Sequence, residues 1–189
     1  DIQHPALLEY LKSRKVENQT AYLKEIHYRV NDKSYFGIGF KNDSGGYEIR
    51  NKYSKICLGK KDISTIKNGE ESLRIFEGFF DFLSFKNLED NLQKKPSDYI
   101  ILNSVSMIPK IKNLIQNYQK VELYFDNDNA GKRAVEMIKS AGENIEDCRI
   151  LYKNHKDLNE FLMSWEMRKR DTGREYEDLN KINTRKIGR

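Results

Sequence analysis

The sequence predicts an α/β protein: a βα sheet of mainly parallel strands, preceded by a small basic α+β module. Three observations lead there. Past residue 70, short apolar runs alternate with stretches of helical spacing, the pattern of parallel strands joined by helical crossovers. Before residue 70 the alternation has period two and is punctuated by turn residues, the pattern of antiparallel hairpins. Two of the later apolar runs end in carboxylates followed by glycine-bearing turns, at Ile75-Phe76-Glu77-Gly78 and at Phe125-Asp126-Asn127-Asp128-Asn129-Ala130-Gly131.

His4-Pro5 opens a short amphipathic helix carrying Ala6, Leu7, Leu8, Tyr10 and Leu11, which stops near Ser13-Arg14. Strand-type alternation follows at Ile26–Val30, at Tyr35–Phe40 after the Asn31-Asp32 turn, and at Tyr47–Arg50 after Asn42-Asp43-Ser44-Gly45-Gly46. Asn68-Gly69 then punctuates the chain, which sets the expected division: a basic module over 1–69, a βα domain over 70–163 and a polar basic tail over 164–189. Within the domain, strands are expected at Leu73–Glu77, Tyr99–Asn103, Val121–Asp126 and Arg149–Tyr152. Helices follow each: one over about Phe79–Asn87, one with Ile108, Ile111, Leu114, Ile115 and Tyr118, one with Ala130, Ala134, Met137, Ile138 and Ala141, and one with Leu158, Phe161, Leu162 and Trp165. The tail from Glu166 lacks strong periodicity and reads as a frayed helix or disorder.

With 189 residues the chain is one domain, or one domain with a small appended module. No run of about 18 apolar residues occurs, which excludes a membrane-spanning helix, and no leader pattern opens the chain. The two cysteines, Cys57 and Cys148, form no CxxC pair, so a disulfide scaffold and an intrinsic zinc ribbon are not expected, and a reducing cytoplasm is. Asp1 in place of an initiator Met suggests a piece of a longer protein. Charge is uneven: residues 1–69 hold 13 Lys/Arg against 8 Asp/Glu (+5), residues 70–163 hold 13 against 16 (−3), and residues 164–189 hold 8 against 5 (+3). A polyanion such as nucleic acid fits basic flanks around an acidic centre. The stretch Ile49–Lys61 has most shape: Arg50, Lys52, Lys55, Lys60 and Lys61 with Tyr47 and Tyr53 nearby and no acid, which suits backbone contacts plus base stacking on a single strand.

Carboxyl ends of parallel strands converge on one crevice. Two ionised carboxylates about 4 Å apart repel by about 4 kcal/mol at an effective dielectric of about 20, so Glu77, Asp81, Asp126, Asp128 and Asp157 together call for a divalent cation. Oxygen-only ligands of this kind favour Mg²⁺. Helix-end roles compete at some positions: Asp126 and Asp128 suit a turn, Asp81 the dipole of a first helical turn and Asp157 an N-cap. Asn103-Ser104, after the second strand, reads as a further crevice-facing turn able to contact a phosphate or hydroxyl.

Taken in order, the Glu77-Gly78 strand end, the Asp126-x-Asp128-x-Ala130-Gly131 turn and the Lys156-Asp157-x-Asn159-Glu160 segment resemble the Toprim family shared by bacterial primases, topoisomerases and some nucleases. Asp81 and the Lys156–Glu160 segment look primase-like, of the plasmid or mobile-element type. The resemblance covers about residues 72–163, and more loosely the basic module before them. It implies a nucleotidyltransferase that makes primers on single-stranded DNA from NTPs with Mg²⁺ or Mn²⁺, and a replicative helicase as partner. The implied ligands are Asp81, Asp126 and Asp128, with Asp157 peripheral and Lys156 toward the triphosphate. Glu77 is either a ligand or the base for the hydroxyl. Arg50, Lys52, Lys60 and Lys61 would hold the template, and a zinc ribbon is expected before Asp1. A Toprim-type nuclease and a non-catalytic single-strand-binding module are the competing readings.

Overall fold

The period-two pattern of the first module folds as an antiparallel sheet in the computed structural model, which describes the backbone of residues 1–172 and the side chains of residues 1–165. Its strands β1 (Lys24–Val30), β2 (Lys33–Lys41), β3 (Tyr47–Arg50) and β4 (Lys55–Leu58) pair in chain order. Asn31 and Asp32 turn the first hairpin at φ 47° and 60°, the left-handed region that Asn and Asp tolerate best after glycine. Helix α1 (Pro5–Ser13) starts with its proline at the first turn and buries Leu7 and Leu11.

The second sheet has the order β5-β7-β6-β8-β9, from β5 (Ser64–Ile66), β6 (Ser72–Phe76), β7 (Asp98–Ile101), β8 (Lys120–Tyr124) and β9 (Ile145–Asp147). All neighbours are parallel except the β5–β7 edge pair. Ser64–Ile66 lies before the Asn68-Gly69 turn yet belongs to this sheet, so the change of sheet falls a few residues earlier than the change of pattern.

Alternation along the central strands sorts side chains into two cores. Leu73, Ile75, Val121, Leu123 and Phe125 face one layer, with α3 (Ile108–Ile111) and α4 (Asn129–Lys139). Phe76 and Tyr124 face the other, against α2 (Phe79–Leu88) and α5 (Leu158–Thr172). Helix α2 is apolar all round because it is covered on all sides, as such a helix must be: Phe40 of the first sheet stacks on its Phe79 at 5.2 Å between ring centroids, while Phe76 of the second meets its Phe82 and Phe85. One hydrophobic core thus runs through both sheets, and Leu7 and Leu11 of α1 close it. On the same face, Arg74 and Glu122, cross-strand partners in the β6–β8 register, form a buried ion pair at 2.6 Å.

Two expected elements differ. The run Arg149–Tyr152 is not a strand; it lies in a 3₁₀ turn, Cys148–Tyr152, and the edge strand is Ile145–Asp147. Asp147 caps the turn by accepting from the Arg149 N–H, and the Tyr152 hydroxyl donates to the Phe125 carbonyl. Of the three successive apolar residues only Tyr152 is buried, and Ile150 is left exposed by the turn, so the apolar run does not carry the burial that a core strand would give it. The single helix expected over 108–118 is α3 flanked by 3₁₀ turns at Val105–Met107 and Ile115–Asn117. Its stripe of Ile108, Ile111, Ile115 and Tyr118 is buried all the same. The expected frayed or disordered tail lies outside the described residues beyond Thr172. No helix among the described residues is long and apolar enough to cross a membrane.

Candidate active site

Strands β6 and β8 lie side by side and parallel, so the residues that follow them meet at one end of the sheet. Glu77 follows β6, and Gly78 caps α2 in extended conformation. Asp81 falls on the first turn of α2, buried, which matches its acid to the positive end of the helix dipole. Asp126 follows β8, and its N–H donates to Glu77 Oε2 at 3.3 Å, fixing the two stations against each other. The turn after it is tight enough to demand glycine: a Cβ on Gly131 would sit 2.1 Å from the Asp126 carbonyl oxygen.

A third carboxylate arrives from the far end of the domain. Asn127 donates its N–H to the Lys156 carbonyl at 2.7 Å and its side-chain amide to the carbonyls of Tyr152 and His155. This clamp holds the segment before α5 over the end of β8. Asp157 there accepts from the Glu160 N–H, while Glu160 reaches back to the Lys156 N–H, a reciprocal cap. Carboxylate oxygens of Asp81, Asp126 and Asp157 consequently lie within 4.8 Å of one another. The Asp81 carboxylate is further held by the Asn159 N–H.

Electrostatics state the problem this trio poses. Burial, then the charges of Glu77, Asp157 and Asp128, push Asp126 from its ordinary 3.8 up to about 7. Burial, then Asp157 and Asp126, hold Asp81 well above the usual carboxylate range. Burial, partly opposed by the Asp126 N–H, raises Glu77 as well. Glu77, Asp81 and Asp126 resist ionising side by side, and an oxygen-only donor set of this kind fits a hard divalent cation such as Mg²⁺ or Mn²⁺, which Asp81, Asp126 and Asp157 would hold.

These acids line a cleft of about 300 Å³ that is also lined by the cations Arg14, Arg50, Lys55 and Lys156, with Tyr10 and Phe80 beside them. Among the described residues none of the four cations is paired with a carboxylate within 4 Å. Arg14 lies instead over the Phe80 ring, 5.2 Å from its centroid. Burial lowers Arg50, and burial together with Arg50 lowers Lys55. Cations left unpaired and partly desolvated next to a metal-type acidic cluster constitute a receptor for an anion bearing several oxygens.

The structure brings together Glu77, Asp81, Asp126, Asp157, Arg50 and Lys156 of the residues expected from sequence. Asp128 is not in the trio: its Oδ1 caps α4 by accepting from the Gly131 N–H at 2.8 Å, and its charge acts on Glu77 and Asp126 from there. Lys52, Lys60, Lys61, Asn103 and Ser104 do not line the cleft. Asn103 is buried, at φ 61°, with its amide donating to the Asp62 carbonyl and to Ser64 Oγ, so it ties β7 to the start of β5 instead of facing a crevice. Ser104 caps the 3₁₀ turn after it. Sequence reasoning missed Tyr10 on α1 and Arg14 at its C-cap, which carry no local motif, and it left Lys55 unassigned within the basic stretch that it shares with Arg50.

Residues 74–162 match a family model described as Toprim-like, and residues 1–59 match one described as a domain of unknown function (DUF8464). No curated protein matches the sequence significantly. Among solved structures, the chain is similar to the primase fragment of the bacteriophage T7 primase-helicase protein, with a TM-score of 0.57 and 20% identity over 78% of this chain. It spans 66% of that fragment, slightly under two thirds. It is also similar to a chain of the structure of bacteriophage T7 lagging-strand DNA polymerase with primase domains bound to an RNA/DNA hybrid and dTTP, at a TM-score of 0.56 and 19% identity over 82% of each chain. The Aquifex aeolicus primase (zinc-binding and RNA polymerase domains) aligns at a TM-score of 0.46 and 17% identity, over 88% of this chain and 48% of that one. At these identities the likeness establishes the fold.

Proposed function

Since the chain is a Toprim-domain protein whose fold resembles that of primase catalytic regions, we propose that it is a primase-like nucleotidyltransferase. In this reading it extends a 3′-hydroxyl with NTPs on a single-stranded DNA template and works beside a replicative helicase. The observation that carries the reading is the mixed cleft: the Asp81–Asp126–Asp157 cluster shares it with Arg14, Arg50, Lys55 and Lys156, none of which forms an ion pair with a carboxylate within 4 Å among the described residues.

Asp81, Asp126 and Asp157 would hold a divalent cation, which would supply charge neutralisation at the transferred phosphate. The chain's own residues do the rest. Lys55, Arg50 and Lys156 hold the triphosphate oxygens by charge-assisted hydrogen bonds. Arg50 reaches over Gly78, so the bound anion is drawn to the amino end of α2, where free N–H groups and the helix dipole add to its binding. Glu77, raised by burial and already oriented by the Asp126 N–H, accepts the proton that the attacking hydroxyl releases. Tyr10 and Phe80 wall the cleft on the apolar side and exclude water from competing with that hydroxyl.

A Toprim-type nuclease would use the same acids with water in place of the hydroxyl, but it has no need of a triphosphate-sized set of unpaired cations. The deciding assay incubates the purified protein with NTPs and single-stranded DNA, and separately with plasmid, each with Mg²⁺ or Mn²⁺. Oligonucleotides that require NTPs and disappear in Asp126→Asn are the expected result. Cutting of plasmid without nucleotides, with no synthesis on any template, would replace the proposal by the nuclease reading. Tight template binding with neither reaction would replace it by a non-catalytic binding module.

A further inference from the structure

A second hollow, of about 610 Å³ and lined mainly by apolar surface, adjoins the acidic cleft and shares its Tyr10 and Arg14 walls. Helix α1 forms one side, Tyr35 and Phe36 of β2 another, Lys52 and Tyr53 the rim, and Met163 of α5 the remainder. The rim is rigid. Asn51 Oδ1 accepts from the N–H groups of Tyr53 and Ser54 and from the Ser54 hydroxyl, while its amide donates to the Phe36 carbonyl. That lock holds the Tyr53 ring in solvent, 88% exposed, with the Lys52 ammonium 5.9 Å from its centroid. Tyr35 is likewise 40% exposed. An exposed aromatic on a pre-set turn loses little entropy on binding, so its ring is available as a stacking surface.

Resting on the nucleotidyl-transfer reading, we propose that this hollow receives one unpaired base of the single-stranded template, stacked on Tyr53, with its flanking phosphates on Lys52 and Arg14. Three features argue for a nucleic-acid base over a protein side chain. Aromatic faces next to unpaired cations are the combination that single strands use, since every base offers a π-face and every link a charge. The hollow opens along the wall of the cleft in which phosphate chemistry is proposed, so one strand can pass from one to the other. Its volume lies within the range that encloses a small ligand. Glu9 on α1 is the one acid on its wall, against the two cations Arg14 and Lys52.

Stacking and charge leave different signatures. Removal of a stacked base contact weakens binding about 5- to 150-fold but releases no counterion, so the slope of log K against log[salt] stays unchanged; loss of a phosphate contact lowers that slope by about 0.7 on a single strand. The test titrates the whole protein into single-stranded oligonucleotides that carry 2-aminopurine at successive positions, for the parent chain, Tyr53→Ala, Lys52→Ala and Ala6→Trp. Tyr53 and Ala6 are both exposed, so neither change empties the core, and the Trp fills the hollow from α1. Expected are a fluorescence change at one position only, its loss in Tyr53→Ala and Ala6→Trp with the salt slope preserved, and a shallower slope in Lys52→Ala. Binding by the parent with no position-specific signal, or with Tyr53→Ala at parental affinity, overturns the base pocket while NTP-dependent synthesis still stands or falls by its own assay. Absence of any single-strand binding overturns the pocket too, and capture of a peptide in its place, blocked by Ala6→Trp, would mark it as a protein-docking site.

Discussion

The charge conflict at Asp126 sets a stability cost that can be measured without any catalytic assay. Asp126→Asn keeps the shape of the side chain and removes its charge. In the folded protein the group holds its proton up to about pH 7, whereas in the unfolded chain it releases it near its ordinary 3.8. Between those values the folded state binds the extra proton, so the stability this group contributes falls as pH rises through the window and is gone above it. At about 1.4 kcal/mol per unit the full difference is about 4 kcal/mol; Asp126 is only half-buried, and halving for solvent screening leaves about 2 kcal/mol. For a domain of this size that is about 4–8 °C in Tm. Thermal melts in a chelator from pH 4 to pH 8 should show Asp126→Asn matching the parent near pH 4 and exceeding it by that margin at pH 8. Added Mn²⁺ should raise Tm of the parent at pH 8 and leave the variant unmoved. A pH-independent difference, or a variant less stable throughout, would show that like-charge repulsion is not what this cluster stores.

Other consequences follow from the same geometry. Gly131→Ala forces a Cβ to 2.1 Å from the Asp126 carbonyl oxygen, so it should cost more than about 2 kcal/mol in denaturant unfolding and weaken Mn²⁺ binding in calorimetry, even though Gly131 touches no ligand. Asp128→Asn should retain the α4 cap, because Asn caps as well as Asp, and should lose less Mn²⁺ affinity than Asp126→Asn; equal losses would return Asp128 to the ligand set. Arg74→Met leaves Glu122 buried with only Lys94 and Lys120 and should cost about 2–3 kcal/mol in urea unfolding at pH 7. Its deficit should shrink toward pH 2, because Glu122 is held down to about 2 in the folded state and its contribution, present above its ordinary value, is lost as pH falls. Lys55→Met and Arg50→Met should each weaken NTP binding about tenfold by equilibrium fluorescence, the scale of one charge-assisted contact, and unchanged affinity in both would remove the triphosphate from this wall.

The sequence alone determined what is local. Period-two spacing marked β1, β2 and β3, and the later apolar runs marked β6, β7 and β8, while β4, β5 and β9 went unmarked; the acids after those runs marked Glu77, Asp81, Asp126, Asp128 and Asp157 as one constellation, because the carboxyl ends of parallel strands share an edge whatever the rest of the chain does. A short apolar run such as Ile150-Leu151-Tyr152 lacked that power: it lies in a turn that buries Tyr152 and leaves Ile150 exposed. Only the tertiary structure decided the partners of the acids. Arg14 and Tyr10 reach the cleft because α1 packs its Leu7 and Leu11 into the core around α2. Asp157 reaches it because Asn127 clamps a segment about 28 residues further along the chain. Asp128 misses the trio because the α4 N-terminus takes its carboxylate first. Each of these outcomes depends on burial shared between distant elements, a quantity that spacing along one chain does not encode.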